Sequence, residues 1–398
     1  MRPGAGAPPG PILTGLGVML VAFNLRPALT TVGPLLTTIR AETGLSATGA
    51  AILTTLPVLF LGLASAAGPA TIRRFGADRG ILLAILIVAL GLASRAVGGL
   101  GPLFFGACLS AAGIGLAGVL LPGLVKRDFP GRVGVMTGLY TSVLCLGAAA
   151  GAGLTVPLRD ALEAGWALPL AAWAVPAFAA ALAWLPFAVR ERPEMFAAAA
   201  RSKGRARFWG DPLAWQVTGF MGLQSSLAYI MFGWIPALLQ SRGLSAIEAG
   251  FMASLMSIGQ APSALLIPTF AARAGDQRAY AVGLILLTLT AFLGVVYAPV
   301  SLVAPMTVAL GFGLGGTFGL GLTIIVLRAR DAASAAGLSA MAQGVGYSIA
   351  ALGPLGFGLA HEVGKDWTLS VLLFCAIASA GMLCGLGAGR NRLVGVPA

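Results

Sequence analysis

The sequence predicts an all-α polytopic membrane protein whose twelve transmembrane helices form two six-helix, pseudo-symmetric halves. Three observations carry that reading. Of 398 residues, 58% are hydrophobic and only 10% charged, so long stretches of chain hold nothing that needs water. The apolar runs are continuous rather than alternating with period two, and each approaches the ~20 residues a helix needs to cross a ~30 Å hydrocarbon core, which excludes a β-barrel. The second part of the chain also repeats the first at a shift of 199 residues. At that shift Gly44-Leu45-Ser46-Ala47 falls on Gly243-Leu244-Ser245-Ala246, and Arg74, Gly76 and Arg79 fall on Arg273, Gly275 and Arg278. Gly138-Leu139 and Gly147 likewise meet Gly337-Leu338 and Gly346. Several matches in one register mark two copies of a six-helix unit in parallel orientation.

The first span, 12–38, follows a Gly/Pro/Ala-rich start and lacks a convincing cleavage site, so it reads as a retained helix and not a signal peptide. It contains Asn24, Arg26, Pro27 and Thr30. Pro27 lacks a backbone donor and crowds the carbonyl of Phe23, which predicts a helix loosened at mid-membrane. Irregular backbone at that depth normally lines a cavity. Spans at 47–71 and 80–98 follow, the latter ending at Arg95, close enough to the outer surface to snorkel. The fourth span is 101–125. The fifth, 133–157, carries Tyr140 together with Gly138, Gly147 and Gly151, spaced for close helix approach. The sixth, 166–189, completes an N-terminal bundle over 1–189. A polar, cytoplasmic linker over 190–212 leads to the C-terminal bundle, 213–398, with spans near 213–240, 246–272, 279–298, 301–327, 337–360 and 368–388. Ser245 and Glu248 at the head of the eighth span form a capping-box pattern.

The net charge of +12 is a topology signal and not a nucleic-acid signal. With the N-terminus inside, nineteen Lys and Arg fall in cytoplasmic segments, and four (Arg40, Arg159, Arg242, Lys365) fall in outer loops. Arg26 and Arg95 lie within spans. The positive-inside rule then puts both termini in the cytoplasm of a multi-pass inner-membrane protein. Cys108, Cys145, Cys375 and Cys384 all lie in spans without metal-ligand spacing, and the single histidine, His361, sits at an outer helix end. No metal and no cofactor is expected, and the spans hold no carboxylate pair or nucleophile with a base, which argues against an enzyme. The expected partners are a small-molecule substrate and the lipid bilayer, with the chain acting as a monomer.

Arg26 is the central question. It lies about midway between Pro11 and Arg40, too deep to snorkel, and a cation at mid-bilayer costs roughly 2.5–3.5 kcal/mol on insertion scales. All thirteen acids lie in loops or at span ends, so no carboxylate at its depth can neutralise it. Two roles are open: an internal brace on backbone carbonyls, or contact with an anionic substrate through charge-assisted hydrogen bonds. The repeat pairs position 26 with Ser225, beside Gln224 and one turn before Tyr229, which would supply neutral donors from the other half. Trp234 would form an aromatic wall or lie nearer the outer interface. Gln260, Gln343, Tyr347, Tyr140, Asn24 and Thr30 complete the polar candidates for substrate contact. Against each stands simple interhelical bonding, which averages only about 0.6 kcal/mol.

The segments "NLRPALTTVGPLLTTI", "GLSATGAAILTTLPVLFLGLASAAGP", "LPGLVKRDFPGRVGVMTGLY" and "FMGLQSSLAYIMFGWIPALLQSRGLSAIEAG" together resemble the cyanate and 2-nitroimidazole transporter family of the major facilitator superfamily. The resemblance covers nearly the whole chain, and Asn-Leu-Arg-Pro is its most specific element. It implies the major facilitator fold and alternating-access transport of a small, anionic solute such as a cyanate-like anion, or of a small polar organic compound; the alternative is an efflux pump for nitroimidazole-like or other drugs. It also keeps an arginine at Arg95, for which a gating or interfacial role is expected. Two departures stand out. In "GPATIRRFGADRG", Ile72-Arg73 occupies the place of the superfamily's loop acid, and Ala152 stands where the fifth-span antiporter motif has proline.

Overall fold

The computed structural model describes residues 11–190 and 208–395, so most of the predicted linker lies outside the described residues. Among those described, ten helices are long and apolar enough to cross a membrane, and a pair bent by 49°, Ile52–Ser65 with Gly68–Phe75, makes an eleventh passage. The remaining passage consists of Ala332–Ala350 and Leu352–Gly364. Ser334, Ser339, Gln343 and Ser348 dilute the apolar character of its first part, Ala332–Ala350, most of whose residues are buried. It starts five residues before the predicted 337 because Asp331 accepts from Ser334 N at 2.7 Å and caps an alanine-rich first turn.

The predicted break in the first span is present. Helix runs over Pro11–Asn24, resumes at Pro27–Thr30, and resumes again at Val32–Thr43. The fifth span, Val133–Ala161, lies against this break, with Gly147 facing the Phe23 carbonyl and Gly151 facing Pro27 and Thr30. These glycines serve close packing, since any side chain there would strike backbone.

The repeat has a structural counterpart at its most specific point. Gly44 and Gly243 both turn the chain with positive φ, +68° and +92°, a conformation glycine adopts without a Cβ penalty. Ser46 and Ser245 then cap the next helices, accepting from Gly49 N and Glu248 N. The Ser245–Glu248 capping box is complete in both directions.

The halves meet most closely toward the end of the bundle that the charge bias assigns to the cytoplasm. There Gly134 and Gly138 of the fifth span lie against Pro268 and Leu265 of the eighth. Deeper in, Ser142 Oγ donates to Ala261 O at 2.9 Å. Lys126, at the end of the fourth span, donates to Val326 O at 2.9 Å and to Ala329 O, capping the C-terminus of the tenth span, Val303–Arg328, with a cation from the opposite half. The acid near the unusual loop, Asp78, stays within its own half, where the Arg127 guanidinium binds both carboxylate oxygens at 3.0 and 3.1 Å.

Candidate functional site

The break in the first span delivers Arg26 to the space between the halves. Because Pro27 restarts the helix, Arg26 occupies its N-cap with φ −98° and ψ −31°. Its carbonyl accepts from Leu29 N at 3.0 Å and Thr30 N at 3.2 Å. The guanidinium lies over the ring of Phe318, 5.0 Å from the centroid, and Phe318 belongs to the tenth span, in the other half. Such a cation–π contact is worth about 0.5–2 kcal/mol, well short of the solvation a cation loses at mid-bilayer. Among the described residues Arg26 makes no ion pair and donates no side-chain hydrogen bond.

Two lobes of one cavity meet at the Arg26–Phe318 pair. The larger adds Tyr140, Tyr229, Gln343 and Tyr347 to that pair, with mostly leucines completing the wall. The smaller is bounded by Gln224, Ser225, Tyr229 and Gln260 beside the same pair. Among the described residues, no carboxylate lines either lobe. The arrangement offers one cation without an acidic partner among the described residues, phenol and amide groups around it, and flat apolar faces. A guanidinium so placed has the donors for charge-assisted, bidentate hydrogen bonding to an anion.

Eight expected residues therefore come together: Arg26, Tyr140, Gln224, Ser225, Tyr229, Gln260, Gln343 and Tyr347. Part of this polarity is spent on structure. Gln343 Nε2 donates to Gly118 O at 2.7 Å and Ser339 Oγ at 2.6 Å, joining the eleventh span to the fourth.

Three expected contacts lie elsewhere. Asn24 turns back along its own helix, donating to Leu20 O at 2.9 Å. Thr30 Oγ1 donates to Ala148 O at 3.0 Å and ties the first span to the fifth. Trp234 Nε1 donates to Pro354 O at 3.0 Å, and its ring joins Phe357 and Trp367 in an aromatic cluster away from the cavity.

Arg95 needs a correction of place. It does not snorkel: it is 0% exposed. It donates to Ala28 O at 2.9 Å, within the short helix Pro27–Thr30, and to Thr31 Oγ1 at 3.4 Å, at the second interruption of the first span. Gly106, where a Cβ would come within 3.0 Å of Arg95 Cγ, leaves room for its stem. Arg95 thus makes contacts of the bracing kind, to a backbone carbonyl and a hydroxyl. Phe318 was not anticipated; the available signal was an aromatic ring inside the glycine-rich run "GLGGTFGLG".

The Major Facilitator Superfamily model matches residues 18–351. The chain is 37% identical over 377 residues to the 2-nitroimidazole transporter of Escherichia coli (strain K12), covering 94% of this chain and 95% of that protein. It is 32% identical over 362 residues to the cyanate transport protein CynX of the same strain, covering 90% and 93%. Among solved structures, the proton:xylose symporter XylE superposes with a TM-score of 0.74 over 97% of each chain at 14% identity, a likeness of fold. The chain is a transporter of the major facilitator superfamily, not an enzyme, and belongs to the family that includes the 2-nitroimidazole and cyanate transporters.

Proposed function

We propose that this protein moves a small anion, or a small polar heterocycle carrying negative charge, across the inner membrane by rocking its two halves about the cavity, with Arg26 as the residue that takes the charge. One observation carries the reading: a guanidinium at mid-depth, bordering both lobes, which lies over a phenylalanine ring and makes no ion pair among the described residues. A cation held so in low dielectric gains far more from an arriving anion than it would in water. The names of the two relatives fit this class, one a cyanate transporter and the other a transporter of a planar heterocycle. The aromatic walls from Tyr140, Tyr229, Phe318 and Tyr347 also favour a second reading, export of nitroimidazole-like compounds, because flat rings stack on such faces.

Both termini are cytoplasmic in this proposal, on the strength of the basic-residue bias. The test is transport in proteoliposomes of both orientations. Arg26→Gln should abolish uptake of anions, and Arg26→Lys should keep the charge yet lose most of the affinity, because an ammonium cannot present the planar fork. Normal transport by Arg26→Gln would end the charge reading, and export without import in oriented vesicles would favour the efflux reading.

A further inference from the structure

The smaller lobe is bordered by a side chain with one polar atom left over. Gln224 is 1% exposed. Its Nε2 donates to Met221 O at 3.0 Å and Ser225 Oγ at 2.6 Å, whereas its Oε1 is buried without a partner among the described residues. The amide cannot simply be turned over. Flipping it would set Oε1 against the Met221 carbonyl, oxygen facing oxygen, so the hydrogen-bond network itself orients the group. Buried acceptors are almost always paired, and one that is not calls for an explanation.

We propose that Gln224 Oε1 is a second recognition point, which accepts a hydrogen bond from an N–H or O–H of the substrate while Arg26 binds its charge. The inference rests on the anion reading of Arg26 and narrows it: the solute is a small anion that brings its own donor. Hydroxyaryl carboxylates and heterocyclic acids that retain an N–H satisfy this; a bare, donor-free anion does not. The sequence alone points the other way, toward a glutamine that donates. The carbonyl of Met221, one turn back, and the neighbouring Ser225 consume those donors and leave the oxygen. Phe318 and Tyr229, which border both lobes, supply flat apolar faces beside the two polar points, so a conjugated ring linking charge and donor fits between them.

The test is calorimetric titration of the purified full-length protein with 3- and 4-hydroxybenzoate, the matching 3- and 4-fluorobenzoates, and cyanate. Fluorine nearly preserves the shape of the hydroxyl but cannot donate. In the wild type, at least one hydroxybenzoate should bind on the order of 10- to 100-fold tighter than its fluoro partner, the effect of leaving a buried acceptor unpaired. Gln224→Met should shrink that ratio to less than about threefold, mainly by weakening the hydroxy compound. Equal binding of hydroxy and fluoro compounds to the wild type, or no binding of either hydroxybenzoate, would overturn the proposal without requiring any variant to fold. Arg26→Gln separates the two claims. Loss of all these anions in Arg26→Gln with a clear hydroxy preference in the wild type supports both, while Arg26→Gln that binds the hydroxy compounds as tightly as the wild type, with the same hydroxy preference, keeps the donor site and removes the charge reading.

Discussion

A single methyl group at Gly138 should act as a wedge between the halves. A Cβ built there would lie 2.5 Å from Leu265 O, 3.2 Å from its carbonyl carbon and 3.3 Å from its Cα. The oxygen is 0.9 Å inside the 3.4 Å at which ordinary contact begins. All three opposing atoms are backbone, so no rotamer change can relieve the clash. Overpacking of this kind costs about 1–3 kcal/mol, and because Leu265 belongs to the other half, the cost falls on the state in which these ends are together. A ligand or mutation shifts an equilibrium only by its differential effect on the two states, so Gly138→Ala should shift the closed-to-open ratio at this end by roughly 5- to 150-fold. Spin labels at Arg132 and Arg273, both exposed near the ends of the fifth and eighth spans, report the separation by pulsed electron resonance. The variant should broaden the distance distribution toward longer values and slow transport. Gly153→Ala, which meets nothing within 4 Å, should do neither. An unchanged distribution in Gly138→Ala would refute the reasoning that this contact holds the halves together.

Lys126→Met should open the same end, since it removes the cation that caps the tenth span from the other half; increased thiol labelling of Leu121→Cys from that side would register it, and unchanged labelling would show that the lysine is not a latch. Arg95→Met should lower thermal stability by about 1–3 kcal/mol, because Ala28 O and Thr31 lose their donor, offset in part by no longer burying a cation; a variant more stable than the wild type would contradict the bracing role. Among the described residues no carboxylate lines the cavity, so transport of a non-titrating anion should carry no stoichiometric proton flux; a pH dye inside liposomes that follows the solute one for one would contradict this.

Much of the architecture was legible because hydropathy and helix length constrain a membrane chain so tightly. The repeat was legible at Gly44 and Gly243 because a turn that needs positive φ leaves glycine in both copies. The break at Arg26 was legible because proline's missing donor is a local property. The cavity was legible only through its polar members. Phe318 and the lining leucines look in sequence like lipid-facing residues, since both environments are apolar. Arg95 was misplaced because its position near the end of a span measures distance along one helix, whereas its burial comes from Ala28, Thr31 and Gly106 on two others. The direction of the Gln224 amide depends on a carbonyl three residues back, which no residue type announces.

The most direct test of the central claim compares an anion with a neutral molecule of the same shape. Binding of 4-hydroxybenzoate and 4-hydroxybenzamide is measured on wild type and Arg26→Gln, with both proteins shown to be folded. If Arg26 carries the charge recognition, the wild type should prefer the carboxylate by roughly 10- to 150-fold, the range of one charge-assisted hydrogen-bonded pair, and Arg26→Gln should bind the two alike. A wild type indifferent to the charge, or a preference for the carboxylate that survives in Arg26→Gln, would contradict it.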